Sequence, residues 1–177
     1  MRNENELMNY AMKQESVCRK NDSISDALFE EYGVNRGLRD MNGKGVLTGL
    51  TTISKIVSFE DVNGVKTPCD GQLWYRGYNV QNLVRQMGEN GFGFEKTAYL
   101  LLFGEMPKEE ELCEFCKIMA NCRTLPTNFT RDVIMKAPTR DIMNSMTRSI
   151  LTLASYDGQM NSPDVISNSL RQCIELI

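Results

Sequence analysis

The chain has 177 residues, 41% of them apolar, a net charge of -3 and no histidine, enough to close one ordinary core but excluding any reaction that needs an imidazole from the chain itself. Its charges form no lysine and arginine block that could neutralise a run of phosphates, so nucleic acid is not expected as a partner. No stretch approaches the roughly 20 apolar residues that cross a bilayer, and Met1 to Lys20 is too polar for a signal peptide; no membrane partner is expected, localisation is expected to be cytoplasmic, and the six cysteines should be thiols.

Leu7, Met8, Ala11 and Met12 suggest a first helix whose polar surroundings favour fraying. Ile24, Ala27, Leu28 and Tyr32 mark a second, with Ser23 and Asp26 able to cap its start and Gly33 able to end it. From Val34 to Tyr78 glycines and β-branched residues take over. The run Thr51 to Val57, the turn dipeptide Asn63-Gly64 and the segment Gln72 to Tyr75 predict a small β-hairpin. Val80, Leu83, Val84 and Met87 then share one helical face, with Gly88 as its stop.

Phe94 to Phe103 is apolar almost all round and closes on Gly104, as suits a helix buried on most sides. Pro107 stands where a first helical residue belongs, Glu109 to Glu111 suit the positive end of the dipole, and Leu112, Phe115, Met119 and Ala120 make the buried stripe. A shorter helix is expected from Thr127 to Lys136, ending before Pro138. Asp141 to Tyr156 places Ile142, Met146, Ile150 and Leu153 on one face, and Asp157-Gly158 breaks it. The last helix opens with Ser162-Pro163-Asp164 and should bury Val165, Ile166, Leu170, Cys173, Ile174 and Ile177; it has no C-terminal cap, which fits equally a frayed terminal helix and a helix that continues.

Cys113 and Cys116 have redox or zinc spacing, but they lie inside a helix with no second pair and no histidine, which favours structural thiols; no metal is expected. Gly43-Lys44-Gly45 and Gly91-Phe92-Gly93 read as turns rather than phosphate loops. Asn128-Phe129-Thr130 has a glycosylation pattern without a secretory context. Arg36-Gly37-Leu38-Arg39 is a glycine-containing loop whose guanidinium groups are either a surface pair or a bidentate phosphate grip. In Trp74-Tyr75-Arg76-Gly77-Tyr78, aromatics flank an arginine at a strand end, where packing and a stacked arginine are the plain reading.

In order and spacing, Gly37-Leu38-Arg39, the β segment from Thr51, Trp74 to Tyr78, Phe94 to Pro107 and Leu125-Pro126 resemble citrate synthase over about Val34 to Tyr156. The resemblance implies a mainly α fold: a portion of the multi-helical citrate-synthase large domain with a small N-terminal β-hairpin. It divides the chain into an N-terminal helical segment (1–33), a loop and hairpin region (34–78) and a helical part of the large domain (79–177) expected to be truncated at its C-terminal end.

The implied activity is acyl transfer, condensing acetyl-CoA with oxaloacetate to give citrate and CoA, or propionyl-CoA in the 2-methylcitrate branch. A carboxylate base and histidines perform that chemistry in the family, so this chain, with no catalytic residue of its own, is expected to be inactive alone. The CoA thioester is a substrate, and no cofactor is implied. Arg39 falls on the family's loop arginine that contacts CoA phosphates, whereas Arg76 matches a recurrent arginine assigned to structure. Arg140-Asp141-Ile142-Met143 departs from the His-Pro-Met of many members and indicates a divergent branch. The helices 141–156 and 162–177 are expected to pack across a homodimer interface. A non-catalytic helical dimerisation or interaction module is the alternative.

Overall fold

The computed structural model describes residues 4–25, 27–34, 50–87 and 91–177. Asp26, Gly88, the Arg36 to Arg39 loop and Gly43-Lys44-Gly45 lie outside the described residues. The order is α1 (Glu4–Asn21), α2 (Ala27–Glu31), β1 (Ser54–Val62), β2 (Val65–Tyr75), β3 (Tyr78–Asn79), α3 (Val80–Met87), α4 (Gly93–Phe103), α5 (Glu109–Cys122), a π-helical turn (Thr130–Ile134), α6 (Ile142–Leu153) and α7 (Val165–Leu176). The fold is therefore mainly helical with one small antiparallel sheet, in the order β1-β2-β3.

The chain forms two compact units, Val17–Leu112 and Met1–Ser16 with Cys113–Ile177. In the first, the sheet is built on two tight turns. Val62 pairs with Val65 across Asn63-Gly64, and Tyr75 pairs with Tyr78 across Arg76-Gly77. All four turn residues have positive φ, at 55° and 81° in one turn and 47° and 86° in the other. Two such residues in succession match the right-handed twist of the flanking strands. Asn and Gly make the first turn inexpensive, and Asp61 Oδ1 secures it by accepting from Gly64 N at 2.7 Å. The second turn has no such signature in sequence, because arginine is not a usual left-handed residue. Between the turns, Cys69, Asp70 and Gly71 stand opposite the single Ser58, a bulge in β2.

Helix α3 buries Leu83 and Met87 against Leu100 of α4, while Val84, expected on the same face, is exposed. α4 has the stop that its sequence requires: Gly104 takes φ 82° and its N–H returns to Leu100 O.

In the second unit, the beginning of α1 packs on the later part of α5. Tyr10 and Phe115 approach to 6.4 Å, and Lys13 Nζ reaches Glu114 Oε2 at 2.7 Å. The first helix is 18 residues long, with Leu7, Tyr10, Ala11, Gln14 and Cys18 on its buried side, packed rather than fraying. Helix α5 buries Phe115, Ile118 and Met119; Ala120 is exposed. The expected helix from Thr127 to Lys136 is only the π-helical turn, beside the buried Phe129.

Helix α6 has the predicted start, with Asp141 accepting from Asn144 N at 3.0 Å, yet buries no residue of its own. Helix α7 differs from its reading. It buries Ser167, Asn168, Leu170, Arg171 and Ile174, while Val165 is 72% exposed and Cys173 and Ile177 are exposed. Apolar spacing identified Leu170 and Ile174 but not the polar residues buried beside them, which are partnered within the unit and so cost less to bury.

Candidate functional site

Helix α4 ends with four carbonyls that have no partner inside the helix, as every α-helix does. Each is satisfied by a different part of the same unit. Gly104 N donates to Leu100 O at 2.8 Å, Arg76 Nη2 to Leu101 O at 3.0 Å, the Cys18 thiol to Leu102 O at 3.7 Å and Asn21 Nδ2 to Phe103 O at 2.5 Å. The approach of Asn21 depends on Gly104: a Cβ there would stand 2.7 Å from Asn21 Cβ.

Arg76 is the centre of this arrangement. Its side chain is 4% exposed and is ion-paired to Asp22 at 2.6 Å. Nη1 also donates to Asn21 O at 3.2 Å and to Thr52 Oγ1 at 3.1 Å. The guanidinium therefore sits at the C-terminal ends of both α1 and α4, where the helix dipoles favour a cation. Holding an arginine at φ 47° costs about 1–2 kcal/mol, which these charge-assisted bonds offset. Arg76 is thus a structural hub, as expected. Beside it, Thr52, Ser54, Lys55 and Trp74 line an open cavity of about 340 Å³.

A second buried arginine organises the other unit. Arg171 Nη2 reaches both Asp157 oxygens at 2.8 and 2.7 Å, Nη1 reaches Glu175 Oε2 at 2.8 Å, and Nε donates to Asn168 Oδ1 at 3.3 Å. Burial pushes the Asp157 carboxyl up, but hydrogen bonds from Arg171, Gln172 and the Gln159 backbone prevail and hold it below its ordinary value. This network floors a cavity of about 540 Å³ with apolar walls that include Met8, Ile150, Leu153 and Leu176. Sequence reading treated Asp157 only as a helix break; the one signal available was a lone arginine among the apolar residues of α7.

Among the described residues no group of three or more cysteine, aspartate or glutamate side chains could hold a metal ion. The six cysteines are thiols, Cys113 and Cys116 included. What the geometry offers is positioning and a large unpartnered apolar face: Ile142 is 70% exposed, and Met143, Met146, Ile150 and Leu151 along α6 are also exposed. Arg36 and Arg39, the phosphate-binding candidates, lie outside the described residues.

The family model described as citrate synthase, C-terminal domain, matches residues 39–177, which is most of the chain. The chain belongs to the citrate synthase family. Among its relatives, 2-methylcitrate synthase 1 of Corynebacterium glutamicum is 38% identical over 71 residues, covering 40% of this chain and 15% of that protein. Citrate synthase of Saccharolobus solfataricus is 28% identical over 105 residues, 59% of this chain and 26% of the relative. A 2-methylcitrate synthase of Mycobacterium tuberculosis is 32% identical over 100 residues, 56% of this chain and 20% of the relative. The matches thus span about a quarter or less of each relative's length. Within this transferase-type family, the matched region takes in the sheet, Arg76 and every helix from α3 onward, but not the hub residues Asn21 and Asp22.

Proposed function

We propose that this chain supplies the front portion of a citrate synthase, the acyltransferase that condenses acetyl-CoA with oxaloacetate to give citrate and free CoA. In this reading Arg39 grips CoA phosphates through charge-assisted bonds. The helices 141–156 and 162–177 bury their exposed apolar faces against a second copy, making a homodimer. The chain has no histidine, so the imidazoles that polarise the thioester and ketone carbonyls come from outside these 177 residues, and the chain alone releases no CoA from the two substrates. The observation that carries the reading is the family match over residues 39–177. The relatives named 2-methylcitrate synthase keep propionyl-CoA as the second choice of thioester.

Titration calorimetry of this chain with CoA tests the Arg39 assignment. The substitution Arg39→Ala should weaken CoA binding by about 1–3 kcal/mol. Equal affinity of variant and parent would remove Arg39 from the site.

A further inference from the structure

The cavity over the Arg171 network is built within a single unit, from the beginning of α1, the last turn of α6, the Asp157 to Met160 turn and α7. Its volume of about 540 Å³, its mostly apolar walls and its few convergent polar groups are those of a small-molecule site. Charge narrows the ligand class. Three lining residues are charged, Asp157, Glu175 and Arg171, which leaves one negative charge in excess. The guanidinium is already committed. Its Nε and Nη2 donate to Asn168 Oδ1 at 3.3 and 2.8 Å, its Nη1 to Glu175 Oε2 at 2.8 Å, and its Nη2 to both Asp157 oxygens. With the Arg171 side chain 7% exposed, none of these nitrogens can turn to an incoming anion without breaking a buried charge pair.

We propose that this cavity binds a small primary ammonium compound with an aromatic or branched apolar body, its head beside Glu175 and its body against Met8, Ile150 and Leu153. The inference does not depend on the CoA reading. A cation cancels the excess charge of the floor and leaves the Arg171 bonds intact. An ammonium also has three donors, which suit a carboxylate together with the side-chain carbonyls of Gln159 and Gln172 in the same lining. The walls favour a cation as well. Tyr156, held edge-on against Phe129 with ring centroids 5.7 Å apart, offers an aromatic ring, and Met8 and Met160 offer polarisable thioethers. A metal ion is the poorer fit, because among the described residues no group of three or more cysteine, aspartate or glutamate side chains could ligate one.

The test titrates the full chain, labelled at its methionine methyl groups, with three probes of one shape at neutral pH: phenethylammonium, phenethyl alcohol and hydrocinnamate. Phenethylammonium should shift the Met8 and Met160 methyl resonances saturably and leave Met143, which is outside the cavity, in place. The alcohol should bind at least about 10-fold more weakly, and hydrocinnamate more weakly again. Glu175→Gln keeps an acceptor for Arg171 but removes the charge, so it should weaken phenethylammonium about 5- to 10-fold and leave the alcohol unchanged. Should that variant fail to fold, the three probes on the parent chain still decide. Equal affinity for ammonium and alcohol, or tighter binding of hydrocinnamate, would overturn the proposal. Movement of Met8 and Met160 on raising the protein concentration alone would also overturn it, because a second copy would then fill the cavity.

Discussion

Asp157 shows how one residue can tie a helix break to a helix. Its carboxylate accepts from Arg171, from Gln172 Nε2 at 3.0 Å and from Gln159 N at 2.9 Å, so the Asp157-Gly158 break is bound back onto α7. Because its folded pKa lies below the unfolded value, the unfolded chain takes up the proton first as pH falls. The stabilisation is complete above the unfolded carboxylate pKa of about 3.9 and is lost as pH drops through the folded value. Asp157→Asn should lower stability at neutral pH by about 1.5–3 kcal/mol, as expected for lost bonds to a charged group. It should also flatten the dependence of the urea midpoint on pH below 5; an unaltered acid limb would show that the carboxylate is not the group responsible. Arg76 illustrates the opposite trade, a strained backbone accepted because the side chain reaches the ends of two helices.

Among the elements, the end of α4 is where local code and tertiary contact meet. Gly104 could be read as a helix stop from its place after the apolar run, and its φ of 82° agrees. Its second task could not be read: the absent side chain leaves room for Asn21, whose amide caps Phe103. Gly104→Ala is accordingly expected to cost more than the roughly 1–2 kcal/mol of a left-handed alanine alone, since the new Cβ also displaces Asn21. Chemical denaturation should show a loss above 2 kcal/mol; a loss below 1 kcal/mol would mean that α1 and α4 separate there without penalty. The starts of α6 and α7 are simpler, because Asp141 and Asp164 cap them as their sequences suggest.

For the molecule as a whole, apolar surface decides the behaviour. Along α6, Ile142, Met146 and Ile150 recur at one-turn spacing and all remain exposed. Contiguous apolar exposure of this kind marks an association surface. Sedimentation at increasing concentration should reveal a dimer, and Met146→Glu should return it to monomer by placing a charge in the buried face. A parent chain that stays monomeric at all concentrations would place the proposed interface elsewhere.

The sequence by itself determined the mainly helical class, the Asn63-Gly64 turn, the helix starts at Asp141 and Asp164 and the stop at Gly104. Each depends on a residue's own backbone preference or on bonds to neighbours a few positions away. The Gly37 to Pro126 motifs identified the family because their order survives without knowledge of any contact. Only the tertiary structure decided which face of α7 is buried, that α1 extends to Asn21 and that Arg76 joins Asp22, Thr52 and Leu101. Those outcomes depend on partners 24 to 55 positions away in the case of Arg76, and a buried arginine is affordable only where such partners converge.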